Sequence, residues 1–289
     1  MKGIILAAGK GTRLYPITRP VCKPLLPVYD KPMIYYPLNL LMTAGIRDIL
    51  VIVPPDDQEP FVSLLGDGSK YGVRISYIEQ KVQRGIADAF IIGADFIGND
   101  SVCLALGDNI FYGPGFRRKL RSAMKNTEGA TIFGYYVADP RPVGVVEFDA
   151  QGKAISIEEK PARPKSNYIV PGLYFYDNKV VDIARQVQPS ARGELEITAV
   201  NNAYLNYGML NVVPLGDEFS WFDAGNADSL YEAAGAIRAA QRSGKMLGCL
   251  EETAMKNGWI SRDQLLELAG EMEKTRYGQY LMAVASDID

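Results

Sequence analysis

The first 140 or so residues alternate short apolar runs with helical patterns, and this alternation limits the possible folds more than any other feature of the chain. The apolar runs read GIILAA, DILVIV, RISYIE, SVCLAL and TIFGYYV. Short runs of this kind are typical of buried strands. Between several of them lie helical patterns at about residues 33–44, 86–97 and 116–125. Strands that alternate with helices form right-handed βαβ units, so the sequence predicts a mainly parallel sheet with helices on both faces.

The spacing of the elements changes after about residue 145. The strands VGVVEF, AISIEE and GLYFYD follow one another closely, and helices are predicted at about 179–187 and 194–207, which indicates a mixed-sheet extension with its own pocket. From about Asp228 the chain is predicted to be wholly helical. We therefore expect an α/β fold: a Rossmann-like three-layer αβα core over residues 1–227, then a C-terminal helical segment over residues 228–289. In such folds ligands bind at the carboxyl ends of the strands.

Length and composition exclude several classes of protein. The 289 residues are enough for a large core, and 47% hydrophobic and 22% charged residues are ordinary for a globular protein. The net charge of −3 argues against a general nucleic-acid-binding protein, because such proteins carry a basic excess. The apolar runs are far shorter than the ~18 residues of a membrane span and the first residues do not read as a signal peptide, so we expect a cytoplasmic protein.

Two residue counts narrow the chemistry. The chain has no histidine, which excludes Ser-His-Asp and Cys-His catalysis and histidine-ligated zinc. Its three cysteines, Cys22, Cys103 and Cys249, are far apart in the sequence, so they indicate small buried side chains and neither a zinc nor a disulfide site. Catalysis must therefore use carboxylates, cations, hydroxyls, backbone amides or a hard metal ion.

The stretch LAAGKGTRL reads as a strand that ends in a glycine loop. Gly9 and Gly11 allow backbone amides to approach a ligand closely, and successive amides form an anion-binding nest. Arg13 and Lys23 offer charge-assisted contacts to a polyphosphate. Neither the dinucleotide-binding fingerprint nor the Walker A motif is present, and a simple tight turn is an equally good interpretation of the loop alone.

Two aspartates follow apolar runs in distant parts of the chain. Asp108 lies in LALGDN and Asp223 in SWFDAG, and each is expected at the end of a strand. Two such carboxylates can share one Mg²⁺ together with substrate phosphates. The alternative is that each aspartate caps a following helix.

Charged residues in the second half form two further candidate sites. Glu158, Glu159 and Lys160 end a predicted strand, where alternate side chains face opposite sides, and a surface salt-bridge ladder is the alternative interpretation. In RGELEIT, Arg192 is predicted to open a helix and to bind phosphate there, although an ordinary helix start has the same pattern.

The order of the motifs resembles that of the sugar-phosphate nucleotidyltransferases. LAAGKGTRL, KPLLPVYDKPMI, the EQ near residue 80, LGDN, EEKP, RGELEIT and WFDAG occur in the family's order over essentially the whole chain. The resemblance implies that the glycine loop wraps a nucleotide triphosphate. It also implies a nucleotide half at about residues 1–140 and a sugar-phosphate half at about residues 141–227.

The resemblance assigns roles to matching positions. The implied catalytic residues are Arg13, Lys23, Asp108, Lys160 and Asp223, of which Asp108 and Asp223 are the implied magnesium ligands. The implied nucleotide-binding residues are Leu6, Ala7, Ala8, Gly9, Gly11, Thr12, Arg13, Lys23, Gln80, Gly85 and Asp108. The implied sugar-phosphate-binding residues are Asn109, Gly144, Glu159, Lys160, Val170 and Arg192.

The implied reaction joins α-D-glucose 1-phosphate to dTTP with Mg²⁺ as cofactor, releasing pyrophosphate and forming dTDP-glucose for deoxysugar (dTDP-rhamnose type) biosynthesis. A homotetramer with end-product feedback is also implied. Two alternatives stay open: use of UTP, and a non-catalytic sugar-nucleotide-binding regulator. Pro24, Val143 and Pro171 depart from the family's commonest pattern, which leaves the choice of sugar open.

Overall fold

A computed structural model describes residues 1–287 and contains one large sheet of ten strands and two sheets of two strands. In chain order the strands are β1 (Lys2–Leu6), β2 (Pro27–Val28), β3 (Lys31–Pro32), β4 (Asp48–Val53), β5 (Arg74–Glu79), β6 (Val102–Leu106), β7 (Asn109–Tyr112), β8 (Ala130–Tyr136), β9 (Gly144–Phe148), β10 (Ala154–Glu159), β11 (Tyr168–Ile169), β12 (Leu173–Tyr176), β13 (Leu210–Leu215) and β14 (Ser220–Asp223).

The large sheet is parallel on the side built by the first part of the chain and mixed on the other. Its order is β10-β9-β11-β8-β12-β6-β1-β4-β5, and β13 pairs with β8. Strands β6, β1, β4 and β5 are mutually parallel, whereas β12 runs antiparallel to both β6 and β8. The predicted α/β class, parallel core and mixed extension are therefore confirmed.

The helices cover both faces of this sheet. They are α1 (Tyr35–Ala44), α2 (Gln58–Leu65), α3 (Asp88–Ile92), α4 (Ala94–Ile97), α5 (Phe116–Lys125), α6 (Val180–Gln186), α7 (Ile197–Asn206), α8 (Ala227–Ala240), α9 (Leu250–Lys256), α10 (Arg262–Gly270) and α11 (Arg276–Ser286). Successive β1 residues, Ile4 and Ile5, are fully buried in two different hydrophobic clusters. Alternate strand side chains point to opposite faces, so the sheet is the middle of three layers.

Some predicted elements differ in detail. The helix expected at about 86–97 is divided into α3 and α4 at Gly93, where an added Cβ would lie 2.9 Å from the Ala89 carbonyl oxygen and 3.0 Å from Ile4 Cδ1. The helix expected from residue 194 begins at Ile197. Strands β2, β3, β7, β11 and β13 and helix α2 were not predicted, because most of these strands are too short to show a period-2 pattern.

The C-terminal helices pack against the core of the first half. Leu265 and Leu281 are fully buried in the same cluster as Ile5, and Leu268 and Met272 pack at its margin. Within residues 1–287 no helix combines the length and apolarity of a membrane span. The division into a core at 1–227 and a helical segment at 228–289 stays a prediction.

We expect Leu265→Ala to lower the free energy of unfolding by about 2–5 kcal/mol, because it leaves a cavity where the side chain has no exposed surface. Denaturant unfolding measures this change. The neighbouring Leu266 is 39% exposed, and Leu266→Ala should change stability by no more than about 0.5 kcal/mol. Folded Leu265→Ala protein should keep its turnover at low temperature, and a folded but inactive variant would place catalytic groups in this segment.

Candidate active site

Asp108 and Asp223 lie side by side at the sheet edge formed by the carboxyl end of β6, because β7 and β14 pair. β7 begins directly after Asp108, and the antiparallel register sets Asp223 opposite Asn109. The backbone N–H of Ala224 donates to the Asp108 carbonyl oxygen at 3.0 Å. Neither aspartate caps a helix: a strand follows Asp108, and Asn226 is the residue whose side chain caps α8.

This edge is also where the glycine loop begins. The backbone N–H of Gly107 donates to the carbonyl oxygen of Leu6, the last residue of β1, at 2.9 Å. The two predicted motifs therefore meet at the carboxyl ends of β1 and β6, the edge where open α/β sheets bind ligands.

The Asp108 carboxylate is held by two donors. Lys23 Nζ donates to Oδ2, and Asn109 Nδ2 donates to Oδ1 at 2.9 Å. Asn109 is itself fixed, because its Oδ1 accepts from the Gly172 N–H at 3.0 Å and from Trp221 Nε1 at 2.7 Å. Burial raises the pKa of Asp108, but the Lys23 ammonium and the Asn109 amide outweigh burial, so the carboxylate pKa is lowered.

Asp223 has the opposite environment. Its Oδ1 is buried and has no hydrogen-bond partner among the described residues. Burial and the neighbouring Asp108 charge raise its pKa, against the smaller effect of nearby cations such as Arg13. A Cβ at Gly225 would lie 2.6 Å from Arg13 Nη2 and 2.8 Å from Asp223 Oδ1, so a larger residue there would displace these two side chains.

The unpartnered oxygen beside a second carboxylate suits a hard cation. Mg²⁺ prefers oxygen ligands and commonly takes one or two carboxylates with substrate phosphates. Residues 1–287 contain no group of three or more acidic or cysteine side chains suited to a metal. The candidate metal site thus consists of Asp108 and Asp223, with its remaining ligands to come from substrate or water.

The glycine loop turns sharply against Lys23. Gly11 has φ 61°, and an added Cβ would approach Lys23 Cβ and Thr18 Cγ2 to 3.0 Å. Thr18 Oγ1 donates to the Gly11 carbonyl oxygen at 2.7 Å, and Thr12 begins a short 3₁₀ helix. An added Cβ at Gly9, in contrast, would meet nothing within 4 Å, so the loop has open space beside Gly9.

One cavity of about 460 Å³ brings together the predicted sugar-phosphate residues. Its walls also include Arg13 and both aspartates. The predicted residues on its walls are Asn109, Gly144, Glu159, Lys160, Val170 and Arg192. Adjacent strand residues were expected on opposite faces, yet Glu159 and Lys160 share this cavity because Lys160 lies just past β10 with φ 45°, which ends the alternation.

Arg192 lies in the turn before α7, and the prediction that it opens a helix is wrong. Its Nη2 lies 2.8 Å from Glu196 Oε1 and 3.3 Å from Glu159 Oε1. Burial would lower the Arg192 pKa, but these glutamates outweigh burial and raise it. Glu159 Oε2 also accepts from Thr198 Oγ1 at 2.5 Å, so the acidic and basic side chains of this cavity form one network.

A second cavity of about 710 Å³ lies beside the glycine loop. Gly9, Lys10 and Gln80 line it. Gly85 lies nearby in the chain with φ 107°, and an added Cβ would come within 2.5 Å of the Leu195 carbonyl oxygen, so glycine is required there. A smaller cavity lined by Leu6, Ala7, Gly9, Lys23 and Asp108 lies at the loop itself.

Sequence reasoning missed several residues of these sites. Trp221 and Thr198 line the first cavity, and Gln83 Nε2 donates to the Ala8 carbonyl oxygen. Trp221 precedes Asp223 by two positions on β14, so strand alternation would place both on one face. Thr198 and Gln83 carry no such signal, because tertiary contacts alone bring them to the site.

Comparison with known proteins gives a consistent result. The profile of a family described as nucleotidyl transferase matches residues 2–240. The chain is 59% identical over 283 residues to a glucose-1-phosphate thymidylyltransferase of Neisseria meningitidis, with 98% of each chain covered. The identity is 57% to one of Mycolicibacterium smegmatis, over 98% of both.

Solved structures extend the comparison. A Bacillus anthracis protein provisionally described as a glucose-1-phosphate thymidylyltransferase, in complex with a sucrose, has a TM-score of 0.77 and 44% identity, covering 82% of this chain and 95% of that one. A UDP-glucose pyrophosphorylase in complex with UDP-glucose has a TM-score of 0.71 at 22% identity, covering 83% and 98%, a likeness of fold only.

Proposed function

The chain belongs to the nucleotidyl transferase family, with glucose-1-phosphate thymidylyltransferases as its relatives, and we infer that it joins α-D-glucose 1-phosphate to dTTP. The products are dTDP-glucose and pyrophosphate. The carrying observation is the position of the paired aspartates: Asp108 lines both the cavity of the predicted sugar-phosphate residues and the one at the glycine loop. We assign sugar phosphate to the first cavity, the base to the cavity of Gln80, and the triphosphate to the loop between them.

We propose that Asp108 and Asp223 hold the divalent metal that this family generally uses, with Mg²⁺ as the ion. The two carboxylates and the unpartnered Asp223 oxygen support this assignment. When bound, Mg²⁺ would neutralise phosphate charge and orient the phosphates. Lys23 orients the Asp108 carboxylate by donating to its Oδ2.

The proposed reaction needs little chemistry from the side chains. The phosphate oxygen of glucose 1-phosphate is already an anion, so it can attack the α-phosphorus of dTTP without a general base. Attack is in line with the departing pyrophosphate, and positioning with charge stabilisation supplies most of the rate enhancement. Arg13, beside Asp223, and Lys23, beside Asp108, are the cations we assign to the developing charge. Arg192 and Lys160 are assigned to the sugar phosphate.

The first test is pyrophosphate release from glucose 1-phosphate with dTTP, UTP, dCTP, ATP and GTP in parallel. We expect the highest kcat/KM with dTTP and no efficient use of purines. UTP lacks the 5-methyl group of thymine, which is worth about 1–3 kcal/mol, and it carries an added ribose 2′-hydroxyl. From the methyl group alone, UTP should react about 10- to 200-fold less well. Mannose 1-phosphate is the matched sugar control. Tight binding of dTDP-glucose without any pyrophosphate release would instead indicate a regulator, and preference for UTP would indicate a uridylyltransferase.

The resemblance also supports four further proposals about this chain. We propose a homotetramer, feedback by an end-product sugar nucleotide, a cytoplasmic location, and a place at the start of dTDP-deoxysugar biosynthesis. The proposed partners are the small-molecule substrates, with no nucleic acid and no membrane.

A further inference from the structure

A buried carboxylate lies directly behind Gln80, the residue assigned to the base. Gln80 follows β5 and is 3% exposed, yet it lines the second cavity. Its Nε2 donates to Asp88 Oδ2 at 3.0 Å. Asp88 is the first residue of α3 and is only 1% exposed. The other carboxylate oxygen accepts from Arg84 Nη2 at 2.7 Å.

This contact determines which way the Gln80 amide faces. The two ends of a glutamine amide differ, since Nε2 has two N–H donors and Oε1 only accepts. An ion-paired carboxylate has no proton to donate, so only Nε2 can face Asp88. The reversed amide would set Oε1 against a buried carboxylate oxygen, leaving two acceptors together. No described residue donates to Oε1, which leaves that oxygen and the second N–H of Nε2 available to a ligand.

The free acceptor and donor of the Gln80 amide, Oε1 and the second N–H of Nε2, match one class of pyrimidine. Thymine and uracil present an N3–H donor next to the O4 acceptor, so N3–H can donate to Oε1 while O4 accepts from Nε2. Cytosine presents the reverse, an N3 acceptor next to an N4 amino donor, and would require the reversed amide. A site whose buried polar groups stay unpaired with the wrong ligand rejects that ligand strongly.

We propose that Asp88 is a positioning residue that selects thymine over cytosine by fixing the orientation of the Gln80 amide. This proposal rests on the proposed function, because it takes the second cavity as the base site. The contact between Gln80 and Asp88 depends on the loop that joins them, and hydrogen bonds to Leu195 hold this loop in place. The Leu195 N–H donates to the Arg84 carbonyl oxygen, and the Ala87 N–H donates to the Leu195 carbonyl oxygen at 3.1 Å. The Arg84 side chain is 53% exposed, so the outer half of the network faces solvent.

The test is Asp88→Asn, which keeps the shape but presents a donor or an acceptor to Gln80, so that either amide orientation is satisfied. We expect the ratio of kcat/KM for dCTP over dTTP to rise at least about tenfold relative to the parent enzyme. Arg84→Lys is the matched control: it keeps a cation beside Asp88 and leaves the Asp88 acceptors in place, so the ratio should stay within about twofold. Equilibrium binding of dTTP and dCTP by calorimetry should show the same change without turnover.

The outcomes separate the two proposals. Absence of turnover with dTTP in the parent enzyme would overturn the proposed function. If the parent enzyme is active and the dCTP:dTTP ratio of kcat/KM is the same in Asp88→Asn, the positioning role is overturned. A purely structural role would lower kcat/KM for both nucleotides together and leave their ratio unchanged. Asp88→Ser, which also offers a donor or an acceptor, takes the place of Asp88→Asn if the asparagine variant does not fold.

Discussion

Asp223→Asn should lower turnover by about 10²- to 10³-fold or more and should leave the metal-free protein at least as stable as the parent. The loss follows from removing an anionic oxygen from a two-carboxylate metal site. The folded state should not lose stability, because an ionised Asp223 is unfavourable in the fold: burial and the Asp108 charge both raise its pKa. Its buried Oδ1 also makes no hydrogen bond that asparagine would remove. Groups that bind ligand at the expense of stability are common in active sites.

Thermal unfolding with and without MgCl2 and nucleotide measures the stability of each variant and how much the ligands increase it. A ligand that binds only the folded state raises Tm, so Mg²⁺ with dTTP should raise the Tm of the parent and much less that of Asp223→Asn. Asp139→Asn is the matched control, since it removes the same charge at an exposed ion pair with Arg141. Normal turnover with an unchanged magnesium requirement would remove Asp223 from the metal site.

The fold was predictable from the sequence where one element carries a long run of apolar residues. Strands β4 and β6 of the parallel core each carry five apolar residues in succession, and burial on both faces of the sheet requires such runs. The junction between α3 and α4 was not predictable, because the close approach of Ile4 to Gly93 comes from another element of the fold. A helical pattern does not reveal such a tertiary contact.

The candidate site was predictable where one residue follows a strand. Asp108 and Asp223 were expected at strand ends, and the structure has both there, although the pairing of β7 with β14 that makes them neighbours had no sequence signal. Lys160 was expected on the face opposite Glu159, and its positive φ reverses that expectation. Asp88 was missed entirely, because a carboxylate in the first turn of a helix is usually a favourable surface charge. Only its contact with Gln80 distinguishes it.

Lys23→Met should lower both turnover and stability, whereas Asp223→Asn should lower turnover alone. Lys23 Nζ is the ionic partner of Asp108, and the side chains are 9% and 23% exposed. Removing the cation leaves a largely buried carboxylate without its partner, and breaking a fully buried pair in this way costs about 3–5 kcal/mol. Because Asp108 keeps some exposure, we expect a loss of about 2–3 kcal/mol in denaturant unfolding, with turnover lowered by at least about 10²-fold.

The double variant Lys23→Met with Asp108→Asn separates these two losses. With both charges gone no unpaired ion stays buried, so stability should return to within about 1 kcal/mol of the parent, whereas turnover should stay lost. Lys165→Met is the matched control, because it breaks an exposed pair with Glu158 and should leave stability close to that of the parent. If the double variant were no more stable than Lys23→Met alone, the cost would come from lost packing of the lysine stem, and the charge of Asp108 would not be what Lys23 stabilises in the fold.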